Sequence, residues 1–326
     1  MKLAQTFKKL LLVVATSAVA TAPAWGQTKV RLAYGAASNH FMAAAKTLDK
    51  EFTARTGGNF AFEHFPASAL GSEREMLESM QLGAIDLLIT TNGPMGNFVK
   101  DFDVLDVPFL FRDYGHARRV LDGAVGDDLL KKLETANLVG LAWGENGFSQ
   151  LTNNRRAVKN VADLKGLKIR TKQNETQIIA FRALGALPTP MAWTELFTAL
   201  QQGAVDGQEN PLGVITGAKF QDIQKHITLT NHAYSAVSFI ASPKFWGKLT
   251  AEQKATLKTS ARLAGVAMRN QVDADDVAAI KILKDAGVQI VEKPDMASFQ
   301  TALVPTNKTF EQRFGAVRLQ QISNVK

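Results

Sequence analysis

The sequence predicts an α/β chain folded as two lobes, and three observations carry that prediction. At 326 residues the chain exceeds what one hydrophobic core organises. It opens with a strand followed by a helix: Lys29 to Tyr34 alternates and ends at Gly35, and Phe41, Ala44, Ala45, Leu48 and Phe52 then repeat at helical spacing. Towards the other end, helical spacing capped by Thr250 and Gln253 persists to Ala286 and stops at Gly287, long enough to run along both lobes.

The elements follow in order. Gly57-Gly58 marks a turn and Phe60 to Phe65 a second strand; Ser72 with Glu75 forms a capping box for a helix through Gln81. Ile85 to Thr90, apolar and β-branched, reads as a third strand that delivers Thr91 and Asn92 to a strand end before Gly93-Pro94 breaks the backbone. Strand ends are where open α/β sheets hold ligands. Val107 to Phe111 is an apolar cluster suited to the core. Leu138 to Trp143 reads as a buried strand, and Gly144 to Asn154 as an irregular polar crossing between lobes. Leu167 to Arg170 is a short strand ending in a charge, Asn174 with Gln177 caps the helix that Gly185 ends, and Pro188 and Pro190 punctuate the connection to a helix beginning at Trp193, with Leu196, Phe197 and Leu200 on one face. Asn307 to Lys326 is expected as a surface helix and a frayed end. Gln81 to Asp86 and Gln201 to Asp206 share a frame with four identities. Glycine after a helix is common, so internal duplication stays open.

Composition is that of an ordinary globular protein, 46% hydrophobic and 21% charged. Cysteine is absent, which excludes disulfides, thiolate zinc sites and a cysteine nucleophile. Lys2, Lys8 and Lys9 precede the apolar run Leu10 to Val14 and a small-residue stretch through Ala24-Trp25-Gly26, the pattern of an export signal over residues 1–26. Cleavage after Gly26 or after Ala24 satisfies the small-residue requirement. The run is too short to span a bilayer, so the mature chain is expected outside the cytoplasm. Losing those three lysines lowers the formal charge from +8 to +5. The remainder is scattered, without the basic stripe that nucleic-acid binding requires.

Enzymatic templates are missing: there is no G-x-S-x-G, G-x-x-x-x-G-K-[ST], H-E-x-x-H or G-x-G-x-x-G. The five histidines form no i, i+4 pair suited to zinc, and no carboxylate pair stands out for acid–base work. The strongest polar candidate is Arg170. At a strand exit just before a helix N-terminus, a guanidinium and free helical N–H groups both favour an anion. The alternative is a structural salt bridge to Glu209 or Glu195. Trp193, at the start of its helix, can face a pocket or the core, and Asn210 before Pro211 can cap a turn or bind a ligand.

From Leu164 to Pro211 (LKGLKIRTKQNETQIIAFRALGALPTPMAWTELFTALQQGAVDGQENP) the chain resembles the core of the tripartite ATP-independent periplasmic (TRAP) transporter solute-binding proteins, the DctP-like family. The resemblance extends through Thr56-Gly57-Gly58, Leu70-Gly71, Gly83 to Asp86, Pro108 to Phe111 and Asn231-His232, and so covers nearly all of the mature chain. It implies a two-lobed periplasmic binding protein fold of type II-like architecture, with hinge strands and a long helix spanning both lobes. The expected division is 27–147 plus about 236–275 in one lobe and 148–235 plus about 276–326 in the other. It also implies a receptor that captures a small organic acid between the lobes and delivers it to the TRAP membrane permease subunits, a monomer without catalytic residues, metal or cofactor. The family's carboxylate-clamping arginine falls on Arg170, its asparagine on Asn210 and its pocket aromatic on Trp193, where Phe is commoner. Tyr34, Asn39, Thr91, Asn92 and Gln173 fall near cleft-lining positions. The family often reads Gly-Phe-Arg where this chain has Gly147-Phe148-Ser149, so a second charged contact is in question at Ser149. These features favour a monocarboxylate with an apolar or aromatic body. A lyase-like periplasmic enzyme and a receptor for an ATP-driven importer are the competing readings.

Overall fold

In a computed structural model that describes residues 27–36 and 38–326, β1 (Thr28–Tyr34) pairs in parallel with β2 (Phe60–Phe65) and with β3 (Leu87–Thr91). The helices α1 (Asn39–Arg55) and α2 (Glu73–Gln81) make the crossovers. The expected export signal, residues 1–26, lies outside the described residues. The capping box expected at α2 is formed, with Ser72 accepting from the Glu75 N–H and Glu75 returning to the Ser72 N–H. After α3 (Tyr114–Leu121) and α4 (Ala124–Lys132) comes β4, which runs unbroken from Val139 to Asn153.

This strand corrects the expected irregular crossing. Its second half is polar in sequence yet buried, because its groups are satisfied by pairing and by one another. Val139 to Phe148 pairs with β9 (Tyr234–Ala241), and Ser149 to Asn153 continues along β7 (Gly207–Pro211). The register shifts at Gly140/Ala142 and at Glu145/Gly147. Gly147 sits at φ +114, a conformation open to glycine and costly for other residues. The bulge turns the strand between the two halves of the sheet without breaking it. Glu145, fully buried at this point, accepts from Arg118 and from the Tyr234 hydroxyl (2.9 Å).

The second half is built from β5 (Lys168–Thr171), α5 (Glu175–Ala183), β6 (Leu187–Pro190), α6 (Trp193–Gln201), β7 (Gly207–Pro211) and α7 (Leu212–Gly217). Next come β8 (His226–Thr228), β9 (Tyr234–Ala241), α8 (Pro243–Lys248), α9 (Ala251–Asp285), β10 (Gln289–Val291), α10 (Met296–Leu303), α11 (Asn307–Phe314) and α12 (Ala316–Ser323). The sheet order is β2-β1-β3-β9-β4-β7-β5-β6, with β8 on β4 and β10 on β8. The prolines of β6 are tolerated because it is an edge strand.

Helix α9 begins at the expected Thr250–Gln253 capping box and ends before Gly287 in the left-handed region. At 35 residues it is about 52 Å long at 1.5 Å per residue. Its first part buries Leu257, Ala261, Ala264 and Met268 against the β1–β3 side, and its last part buries Ala279 and Leu283 against α6 and α7, so one helix joins two cores. The C-terminal segment departs from expectation. Ile322 of α12 is fully buried among residues of α3 and α4, and Arg112 and His116 donate to or contact the carbonyls of Ser323, Val325 and Ile322. The end of the chain therefore lies against the first core, although the sequence assigned residues beyond about 276 to the second lobe.

Candidate functional site

Arg170 is next to last in β5, registered between Thr189 of β6 and Gln208 of β7, and only 3% exposed. Nε and Nη2 both donate to the Met191 carbonyl, at 3.1 and 2.9 Å. A guanidinium carries five N–H donors. Two are spent on fixing the fork along its Nε edge, and the Nη1–Nη2 end remains for a bidentate acceptor. The salt bridges of the alternative reading are not formed: Glu195 closes on the Ala192 N–H of its own helix (2.9 Å), and Glu209 takes Lys172 Nζ (2.8 Å). Among the described residues no carboxylate lies within 4.0 Å of the Arg170 guanidinium. Burial pushes its pKa down to about 10 despite the more distant attraction of Glu209, Glu73 and Glu195. A buried cation without a counter-ion is expensive to maintain in a protein interior, and an anion supplied from outside relieves that cost.

Arg170 lines a narrow chamber of about 30 Å³ together with Ala36, Glu73, Thr91, Asn146, Lys172, Trp193 and Asn210 among others. A second chamber of about 20 Å³ shares Glu73, Arg170, Lys172 and Trp193 with it and adds Gln173 and Met191. The walls come from both halves of the sheet, with Glu73 and Thr91 on one side and Arg170, Lys172 and Trp193 on the other. A wider groove outside, lined by Lys100, Asp103, Gln173 and Arg313, holds cations that are mostly spent on neighbours: Arg74 pairs with Glu78 and Arg313 with Asp103. The buried, unpaired guanidinium makes the smaller chambers the candidate site.

Of the residues named from sequence, Arg170, Trp193, Asn210 and Thr91 line the first chamber and Gln173 the second. Trp193 starts α6 with its ring 5.7 Å from that of Phe220, and Asn210 donates to Gln208 Oε1. Four others lie elsewhere. Tyr34 is buried edge-on against His64; Asn39 is exposed and donates to Asp275; Asn92 is turned into the core towards Asp106 and the Phe102 carbonyl; Ser149 is buried beside Glu209. Each sits at or near an element end, where position alone does not reveal which way a side chain turns.

Two charged residues of the first chamber were not singled out from sequence. Glu73 follows the capping serine and reads as an ordinary first-turn acid. Its carboxylate is instead fixed by Thr90 Oγ1 (2.9 Å), the Thr91 N–H (2.8 Å) and Thr91 Oγ1 (2.9 Å). Lys172 is the other. No local signal marked it: it lies one residue past the end of β5, where strand alternation no longer fixes which way a side chain turns.

Residues 33–313 match the description of bacterial extracellular solute-binding protein family 7, DctP. The chain belongs to this family. Among solved structures, this DctP-family protein resembles a TRAP periplasmic solute-binding protein from Polaromonas sp. JS666 bound to D-erythronate, at 47% identity and a TM-score of 0.90 over 92% of this chain and 99% of that one. A TRAP periplasmic solute-binding protein from Bordetella bronchiseptica, with density interpreted as pantoate, is 43% identical with a TM-score of 0.90 over 92% and 100% of the two chains. A solute-binding protein of Verminephrobacter eiseniae is 45% identical over 94% of this chain and 91% of its own length. Among the described residues no helix is long and apolar enough to cross a membrane.

Proposed function

We propose that this TRAP-type solute-binding protein is a receptor for a short hydroxylated monocarboxylate, which it captures between its lobes and delivers to the membrane permease. It is a receptor, not an enzyme. The observation that carries the proposal is the buried Arg170 fork, anchored on Met191 and facing the cavity without a counter-ion. It receives the carboxylate, with Asn210 and Thr91 beside it and Trp193 covering it.

The body of the ligand follows from the walls. The polar groups of Glu73, Asn146, Asn210 and Lys172 suit hydroxyls better than the apolar or aromatic body expected from sequence. Glu73, with both oxygens fixed, accepts hydroxyl protons and repels a second carboxylate. D-erythronate and pantoate, the ligands assigned in the two similar structures, are both monocarboxylates on a four-carbon chain with hydroxyls at C2 and C4, which supports the same class here. In our reading residues 1–26 are a cleavable signal that sends the chain to the periplasm, the receptor acts as a monomer, and its lobes divide near Gly147, with α12 on the first.

The test is a thermal-shift and calorimetric screen of the chain from residue 27, with D-erythronate, pantoate, D-glucuronate and succinate. At a hundred times its Kd a ligand adds about 2.7 kcal/mol of stability. The hydroxy monocarboxylates are expected to give that response, and succinate is not. Absence of any acid response, or chemical turnover of the acid, would overturn the proposal.

A further inference from the structure

From the geometry around Glu209 we infer that Lys172 is a specificity-determining residue, supplying the second positive charge of the site and reading the oxygen on the carbon next to the ligand carboxylate, a 2-hydroxyl or 2-oxo group. The inference rests on the hydroxy-acid reading above and makes it more specific.

Three observations support it. Lys172 is 7% exposed and lines both chambers beside Arg170. In sequence it lies two residues past Arg170, one residue beyond the end of β5. Its stem lies against Gly93, where an added Cβ would come within 2.4 Å of Lys172 Cδ, so the glycine permits this approach from the opposite half of the molecule.

The ammonium is also held in place. Nζ donates to Glu209 Oε1 at 2.8 Å, which commits one of its three N–H bonds and leaves two. Glu209 is fully buried and has only a limited choice of cations: Lys172 at 2.8 Å and His232, whose Nε2 is 3.9 Å from Oε2. Burial pushes His232 down to about 4, so it is neutral at ordinary pH and Lys172 supplies the counter-charge.

The remainder of Glu209's surroundings is polar and buried. Ser149 stands on β4 against β7, and its hydroxyl faces this same carboxylate. Ser149 Oγ, Glu209 Oε2 and His232 Nε2 are buried without hydrogen-bond partners among the described residues. A cation carried at position 149 would meet Glu209 from β4; here Lys172 meets it from the segment that follows β5.

The experiment uses isothermal titration of the chain from residue 27 with D-erythronate and its 2-deoxy analogue 3,4-dihydroxybutanoate, and with 2,4-dihydroxybutanoate as the 3-deoxy control. Wild type is expected to prefer D-erythronate over the 2-deoxy acid by about 10- to 100-fold, the range for a hydrogen bond to a charged group. In Lys172→Met/Glu209→Gln, which removes both buried charges and so avoids an orphaned carboxylate, that preference falls below about threefold, while discrimination against the 3-deoxy control is retained. Ser149→Arg/Lys172→Met restores part of the affinity with an altered preference. If wild type binds these acids but the double variant keeps its full 2-hydroxyl preference, Lys172 only balances Glu209 and the inference is overturned. If wild type binds no hydroxy acid, the functional reading falls, and this inference with it.

Discussion

Arg170 combines two properties that normally exclude each other, near-complete burial and the lack of an anionic partner. It should therefore cost the empty protein stability and repay that cost on binding. Arg170→Met is expected to melt at the same temperature as wild type or higher without ligand, and to bind the acid about 2–5 kcal/mol more weakly. Since a micromolar receptor has about 8 kcal/mol in total, calorimetry should then see binding only in the millimolar range or not at all. Asp103 presents the opposite case, an acid held where its charge is unwelcome. Burial and the neighbouring Asp106 push it up to about 7, against the pull of Arg313. Between about pH 4 and 7 the folded chain keeps a proton that the unfolded chain has released, so this residue's contribution to stability falls as pH rises through that window. Asp103→Asn should flatten the slope and raise stability at pH 8, by at most about 4 kcal/mol for three units of displacement, read as the difference between the two melting curves across pH 5 to 8. At this scale the sequence showed position well and direction poorly. Arg170 could be found because a strand exit restricts where its side chain goes, whereas Asn92, one residue past β3, turns inwards to Asp106. Glu73 was hidden because its partners, Thr90 and Thr91, lie 17 and 18 residues away and meet it only once β3 is in place.

Among the elements, β4 and α9 carry the architecture and lie against each other. Gly265 of α9 touches the backbone of β4 so closely that an added Cβ would stand 2.3 Å from the Trp143 carbonyl oxygen. Gly265→Ala would gain about 1 kcal/mol of helix propensity, but overpacking against a fixed carbonyl costs about 1–3 kcal/mol. A net loss of stability is expected in urea denaturation, the opposite of what the same change gives on an exposed helix. The ends of α9 were legible from Thr250, Gln253 and Gly287, because capping chemistry is local. The second half of β4 was not. Glu145, Asn146, Ser149, Gln150, Thr152 and Asn153 resemble a loop when taken singly, and only their partners on α3, β7 and β9 make burial affordable.

For the whole molecule the two halves also meet through contacts outside the first chamber. Asn174 Nδ2 reaches Asp103 Oδ1 (2.8 Å), Asp106 Oδ2 (3.2 Å) and the Gly93 carbonyl (3.3 Å), and Asn97 donates to the Gln173 carbonyl (3.0 Å). If closure is an equilibrium, these bonds favour the closed form, and apparent affinity scales with the fraction of molecules competent to bind. Asn174→Ala is expected to weaken acid binding about 3- to 30-fold and to enlarge the radius of gyration of the ligand-free protein in small-angle scattering, with no lining residue of either chamber altered. Loss of the cap on α5 adds about 1 kcal/mol of destabilisation, which chemical denaturation measures separately. The two-lobed plan itself was legible from length, strand–helix alternation and the family motif; the return of α12 to the first lobe was not, since a short C-terminal helix with one fully buried isoleucine carries no label for its destination.

The wiring of β4 also sets a timetable. All of its partners come later in the chain: β7 begins at Gly207, β8 at His226 and β9 ends at Ala241, and β3 likewise waits for β9. While the first two hundred residues emerge from a ribosome, the central strand has nothing to pair with, and pairing over such sequence separations is slow even when the chain is complete. A nascent chain wired in this way stays threadable until its last third has been made. That delay would suit the export signal proposed for residues 1–26, because a translocation pore accepts an unfolded chain and the sheet can then close on the far side of the membrane.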